Sequence, residues 1–270
     1  MDVRDVIIQN VVPHRTFVDV GALWGTVNEK VSVASRAGAA SVAVIDEVPL
    51  GAPLWTAFDD RMVELGIAGV RRVSANLDRL PEPVERFDVV HCSGIVYHCP
   101  NPIFTLGQLR LLTGEWLILT SMVVPETIDS AIGSIRIGSG QALFVPGLDA
   151  PSRAIVDRYL FERDVRGAIG IDQPVERWDP TNYDPWWWLL TPSAVATMLR
   201  VAGFTVEADA PYWDGRAHTF LARRADTAAA PPVESIGDEV QHLRREVAEL
   251  RAELGALRKA QPVDHQLVRS

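Results

Sequence analysis

Two short apolar runs, TFVDV and SVAVID, flank a longer helix-compatible segment, TVNEKVSVASRAG, and a similar alternation recurs along most of the chain. β-branched residues crowd the runs, and Gly38 closes the segment between them, so the pattern predicts strand, helix, strand. Further on, LWTAFDDRMVELG predicts a helix, VRRVSANL a third strand, RFDVVHCS a fourth, PIFTLGQLRLLT a helix and EWLILTS a fifth strand. TPSAVATMLRVAGF has the Thr-Pro start and Gly stop of a helix, and TVEADAPY and AHTFLARR predict the last two strands. Apolar strands alternating with crossover helices argue for an α/β fold: a seven-stranded, mostly parallel sheet with helices on both faces, spanning residues 1–225.

Two regions break the alternation. Residues 121–190 include a long stretch rich in Gly, Pro and aromatic residues, with GSIRIGSGQALFVPG and DPTNYDPWWWLL, too long for a simple connection. It is expected to form a partly helical insertion, a lid on the substrate side. Beyond it, residues 226–235 have linker composition, and a periodic segment follows over 236–260. Ile236, Val240, Leu243, Val247, Leu250, Leu254 and Leu257 alternate at spacings of 4 and 3, the heptad seam of a coiled coil. A lone amphipathic helix of that length is marginal in water. A C-terminal coiled-coil helix that makes a homodimer or higher oligomer is therefore expected, with docking on the protein's own body as the alternative.

Composition narrows the classes. No apolar run reaches the ~18 residues of a membrane span, and MDVRDVIIQN lacks the basic start and apolar stretch of a signal peptide, so a cytoplasmic protein is expected. The two cysteines, Cys92 and Cys99, have no partner spacing for zinc or a disulfide framework and are expected to be reduced and structural. The formal net charge is −9, and lysine occurs only as Lys30 and Lys259. Gripping a nucleic-acid backbone calls for concentrated Lys and Arg, so nucleic acid is a disfavoured partner.

The first strand runs into a glycine turn, FVDVGALWGTVNEK. A dinucleotide loop would need G-x-G-x-x-G for close approach to a pyrophosphate. Here Leu23 and Trp24 occupy the middle of the turn, and Asp19 would repel a pyrophosphate at short range. An acid in that place suits a cationic, phosphate-free nucleoside. VDVGALWG resembles the glycine-rich first motif of the class I S-adenosylmethionine-dependent methyltransferases, with Asp19, Gly21 and Gly25 matching and Leu23 replacing the middle glycine. The resemblance implies a Rossmann-like sheet and S-adenosylmethionine as cofactor, held at Asp19, Gly21 and Gly25. The residue reading leaves open a tight turn that binds nothing.

Asp46 ends the second strand 21 residues after Gly25, near the spacing at which an acid meets ribose hydroxyls. The resemblance carries ribose binding to Asp46, with Glu47 as fallback, and an N-cap as the plain alternative. After the third strand, Asn76 stands where the family contacts adenine, and its carbonyl oxygen would accept from the exocyclic amine. Asn and Asp there are also ordinary turn residues.

The stretch RFDVVHCSGIVYHCPNP is the most distinctive in the body. It resembles the fourth-motif region of a branch that includes sugar and small-molecule O-methyltransferases and tRNA wobble-uridine carboxymethyl-transferring enzymes. Ser93 and Gly94 close the fourth strand, where small residues admit the cofactor's methionine part close to the backbone. His98 is the candidate general base, having a near-neutral pKa, with a structural ring that donates to a backbone carbonyl as the alternative. Tyr97, Tyr183, Asp184 and Trp186 are the candidate substrate contacts, since flat rings beside acids can stack on a pyranose and bond its hydroxyls, although they equally suit a packed lid. A magnesium site is not readable from the spacing of the acids.

The expected function is methyl transfer from S-adenosylmethionine to a hydroxyl of a sugar or glycoside, a small molecule or oligosaccharide such as a mannoside of a methylated polysaccharide. A tRNA wobble-uridine methyltransferase and a non-catalytic coiled-coil adaptor are the alternatives.

Overall fold

Alternation along the strands sorts their side chains onto two faces, and the fold follows from what covers each. The structure is a computed structural model that describes residues 2–179 and 182–225. Seven strands form the main sheet: β1 Thr16–Val20, β2 Ser41–Asp46, β3 Arg71–Ser74, β4 Phe87–Ser93, β5 Thr113–Met122, β10 Phe204–Tyr212 and β11 Ala217–Arg224. Their spatial order is β10-β11-β5-β4-β1-β2-β3. Neighbours from β3 to β5 are parallel, and β11 and β10 close that side antiparallel. The mostly parallel seven-stranded sheet expected from the sequence is the one found.

Phe17, Val42, Val44, Val89 and Ile118 face one side, under the helices α1 Val3–Val11, α2 Val31–Arg36 and α3 Pro53–Glu64. Val18, Val20, Ile45, Val90 and Leu119 face the other, under α4 Pro102–Leu112 and α6 Pro192–Val201. Fully buried anchors from each helix, Ile8, Phe58, Leu106 and Leu199 among them, remove apolar surface from water on both sides. Strand order runs outward from β1 to β3 in one direction and from β4 to β5 in the other. The sheet therefore has a switch point between β1 and β4, where a crevice opens at the carboxyl ends of the strands.

The insertion contains a hairpin, β6 Thr127–Ser130 with β7 Gly133–Arg136, then helix α5 Ala150–Glu162, and a ribbon of β8 Ala142–Phe144 with β9 Trp188–Leu190. Its Ile128, Val145 and Val156 are fully buried and continuous with the core on the α4 side. The insertion is thus packed on the body.

One local expectation needs correction, and one element was not foreseen. The helix expected over residues 26–38 is instead a 3₁₀ turn, Leu23–Asn28, followed by α2. The cause is electrostatic: the carboxylates of Asp19 and Glu29 accept the backbone N–H groups of Lys30 and Ser32, both at 2.8 Å, which starts α2 late. The unforeseen element is helix α1, which the pattern did not suggest. Asp2 caps it by accepting from the Arg4 N–H at 2.9 Å.

Among the described residues no helix is long and apolar enough to cross a membrane. The linker at 226–235, the coiled-coil seam at 236–260 and the oligomer built on it lie outside the described residues.

Candidate functional site

The crevice at the switch point is a cleft of about 850 Å³. The ends of β1, β2, β3 and β4 form its floor, the segment 94–99 one wall, and lid residues from 167 to 186 its roof. Asp19, Gly21, Asp46, Asn76, Ser93 and Gly94 line it from the sheet side. Tyr97, His98, Tyr183, Asp184 and Trp186 line it from the wall and the lid. Eleven residues singled out in the sequence are therefore brought to one cavity. Gly25 lies in the 3₁₀ turn Leu23–Asn28.

Gly21 makes the first turn. Its φ is +78°, in the left-handed region, and a Cβ there would stand 2.6 Å from Cδ1 of Ile95. Its N–H donates to the Ile45 carbonyl at 2.8 Å, tying the turn to β2. Gly21→Ala is expected to lower folding stability by about 1–2 kcal/mol, from the left-handed conformation alone, measured by chemical denaturation. A loss under a few tenths would show that the turn relaxes freely.

Asp19 is 2% exposed, and both of its carboxylate oxygens are engaged within the protein. One accepts the Lys30 N–H; the other lies 2.6 Å from Nδ1 of His91, its neighbour across the β1–β4 pair. The acid expected to hold the cofactor lines the cleft and also fixes the start of α2 and orients a histidine.

Asp46 is buried and accepts N–H groups from Leu23 at 3.2 Å and Val48 at 3.1 Å. Burial pushes its carboxyl up from the ordinary value, against those bonds. Glu47 beside it is exposed and accepts from Asn76 Nδ2 at 3.0 Å. Asn76 also lines the cleft and is bonded within the protein. Its oxygen caps the turn by accepting the Asp78 N–H at 2.9 Å, while its amide also donates to the Tyr183 hydroxyl at 2.7 Å. The short turn Leu77–Arg79 needs a capped start, so one acceptor position of the oxygen expected to face adenine is used locally, and the amide latches the lid.

His98 sits in the wall, with its ring 4.1 Å from that of Tyr97 and 6.3 Å from that of Trp186. Its Nδ1 lies 3.1 Å from the Pro185 carbonyl. A carbonyl oxygen only accepts, so Nδ1 carries the proton and Nε2 keeps its lone pair. Burial lowers the His98 pKa from 6.5, against the bond to Pro185. Burial also raises that of the Tyr97 hydroxyl, which stays protonated. Trp186 packs edge-on against Tyr97 with centroids 4.7 Å apart.

No protein-family model and no curated protein matches the sequence. Solved structures do. A proposed methyltransferase from Bacillus halodurans C-125 superposes with a TM-score of 0.54 at 15% identity, covering 82% of this chain and 97% of that one. An S-adenosylmethionine-dependent methyltransferase from Mesorhizobium loti gives 0.51 at 15% identity, covering 82% and 96%. A proposed S-adenosylmethionine-dependent methyltransferase from Listeria monocytogenes gives 0.50 at 11%, covering 82% and 97%. This chain has a methyltransferase fold.

Within that methyltransferase fold, the sequence reading missed two residues that line the cleft. Arg4, on α1, is 5% exposed. It donates to Asp2, to the Tyr212 hydroxyl at 2.7 Å and to the Ser93 hydroxyl at 3.3 Å, and its guanidinium lies 4.4 Å from the centre of the Tyr212 ring. His91 is the other, 3% exposed. One signal was available for His91: a lone histidine in an apolar strand, level with the acid at the end of β1. For Arg4 none was, since α1 itself was not expected. Among the described residues, no group of three or more His, Cys, Asp or Glu side chains is arranged to hold a metal ion.

Proposed function

We propose that the protein transfers the methyl group of S-adenosylmethionine to a hydroxyl of an uncharged small molecule, a sugar or glycoside. The observation that carries this reading is the charge of the cleft. Asp46, Glu47, Asp78 and Asp184 line it, while Arg4 is the one arginine or lysine among the described lining residues. Such a wall disfavours phosphates and favours a cation. A nucleoside with a sulfonium and an ammonium fits; a dinucleotide or an RNA backbone does not.

The chain's own groups divide the work as follows. Gly21 and Gly94, both with φ of +78°, bring backbone close to the ligand at the ends of β1 and β4. Asp46, whose carboxylate lines the cleft beside its backbone bonds, receives the ribose hydroxyls, and Glu47 closes that end through Asn76. Tyr97 and Trp186 present flat faces to the acceptor, and Asp184 a carboxylate for its hydroxyls. When bound, the cofactor supplies an electrophilic methyl carbon. His98 Nε2 takes the proton as the acceptor oxygen forms its bond to carbon, and the lid excludes water from the encounter.

Calorimetry with S-adenosylhomocysteine tests the cofactor reading, and a labelled-methyl assay over a panel of glycosides, with and without magnesium, tests the acceptor. Asp46→Asn is expected to weaken S-adenosylhomocysteine binding by roughly 10- to 100-fold, the loss of a buried charge-assisted pair. Glu47→Gln, at an exposed site, is expected to change it by less than about threefold. The reverse ranking would transfer the ribose role to Glu47. Binding of NAD in preference to S-adenosylhomocysteine would end the cofactor reading.

A further inference from the structure

Behind the glycine turn lies a partly buried knot of charge that the proposed chemistry has not used. Lys30 is 4% exposed, and its ammonium donates to Asp2 at 2.8 Å and to Asp5 at 2.7 Å. Arg4 pairs with the same Asp2, whose carboxyl the hydrogen bonds from Arg4 and Lys30 hold well below its ordinary range although burial opposes them. Below them on the same face of the sheet, Asp19 holds Nδ1 of His91 at 2.6 Å. Asp2 and Asp5 thus hold the two cations, Arg4 and Lys30, while the ion-pair partner of Asp19 is His91. With a neutral His91, Asp19 has no cationic partner among the described residues.

His91 is where the missing charge can enter. The carboxylate of Asp19 accepts the proton of Nδ1, so in the neutral ring the lone pair is on Nε2. That Nε2 is buried and has no hydrogen-bond partner among the described residues, and the residue lines the cleft. A buried polar atom without a partner carries a desolvation cost that a ligand can remove. A carboxylate cannot, because it has no proton to give. A cationic nitrogen can: it donates to Nε2 and supplies the absent charge in one contact.

We infer that His91, held by Asp19, is the receptor for the α-ammonium of the cofactor's amino-acid part, which donates a hydrogen bond to Nε2. Arg4, bonded to Ser93 on the same strand, is the group placed to receive the adjoining carboxylate. The inference rests on the cofactor reading above. It gives the acid near the end of β1 a task besides capping α2: Asp19 sets the tautomer that makes His91 an acceptor.

The test uses the whole chain, S-adenosylhomocysteine, and the analogue of it that lacks the α-amino group. Wild-type protein is expected to bind the analogue roughly 10- to 100-fold more weakly, since a hydrogen bond from a charged donor is removed. In His91→Gln the difference between the two ligands is expected to shrink to about threefold or less. Should the discrimination be the same in both proteins, the assignment of His91 is overturned while the cofactor reading stands. Failure of the wild type to bind S-adenosylhomocysteine overturns both. A second measurement needs no variant: nitrogen-15 spectra of the histidine rings should show Nε2 of His91 bare in the free protein and shifted by S-adenosylhomocysteine but not by the analogue. An unmoved resonance with bound ligand refutes the contact.

Discussion

Asp19→Ala should cost about 3–5 kcal/mol of folding stability, read as a lower denaturant midpoint with an unchanged slope. Removing the carboxylate leaves two buried donors without an acceptor at once, the Lys30 N–H that begins α2 and the Nδ1–H of His91. With Asp19 and His91 at 2% and 3% exposure, water does not replace the lost partner cheaply. A domain of ordinary stability has only about 5–15 kcal/mol in total, so the variant should approach the edge of folding at room temperature. The comparison that makes the number informative is Arg71 with Glu85, an ion pair whose side chains are 48% and 56% exposed. Removing Glu85 should cost less than about 1 kcal/mol. Equal losses at the two sites would show that Asp19 is a surface charge in solution and not the anchor of α2.

Asp19→Asn separates the two duties of the residue. Its amide oxygen can still accept from Lys30, so less stability is lost. Its NH₂ group, turned toward Nδ1, forces the proton of His91 onto Nε2 and converts the receptor into a donor. Cofactor binding should then suffer more than folding does.

The central strands β1 and β2 were legible because each is an apolar run of the length of a buried strand. TFVDV, SVAVID and AHTFLARR coincide with β1, β2 and β11 residue for residue. Helices with a Thr or Asn before a Pro were legible for a similar reason: the cap and the first-turn proline are local chemistry, as at Thr191 and Asn101. Helix α1 was not. Its sequence, VRDVIIQNV, is dominated by β-branched residues whose local preference points to strand, and burial of Ile8 in the core cluster that also holds Phe17 and Val89 overrides that preference. The positions of the site acids could be read from their spacing, but their partners could not. Which oxygen of Asp19, Asp46 or Asn76 faces the cleft depends on backbone N–H groups brought up by turns whose geometry no pattern of residue types encodes. The same holds for His91 and Arg4, joined to the site by contacts that span 72 residues to Asp19 and 89 to Ser93.

His98→Ala is expected to lower kcat by about 100- to 10,000-fold at saturating acceptor, the usual worth of a positioned base. The structure removes the opposition between its two possible roles. By donating Nδ1–H to the Pro185 carbonyl, the ring both ties the wall to the lid and commits Nε2 to the bare, basic form. Burial lowers its pKa from 6.5, so the base stays unprotonated further into acid than a free histidine would. Activity should therefore fall only below pH 6.5, and this acid limb should be missing from the residual activity of the variant. The sign for folding runs the same way: the unfolded chain binds the proton more readily, so the stability present above the ordinary pKa near 6.5 is lost as pH drops toward the folded value. His98→Gln should flatten that part of the stability profile as well. The two profiles distinguish a base from a brace. A brace alone would alter stability and KM while leaving kcat within about threefold and the acid limb intact, and that result would move the proton acceptor to another group.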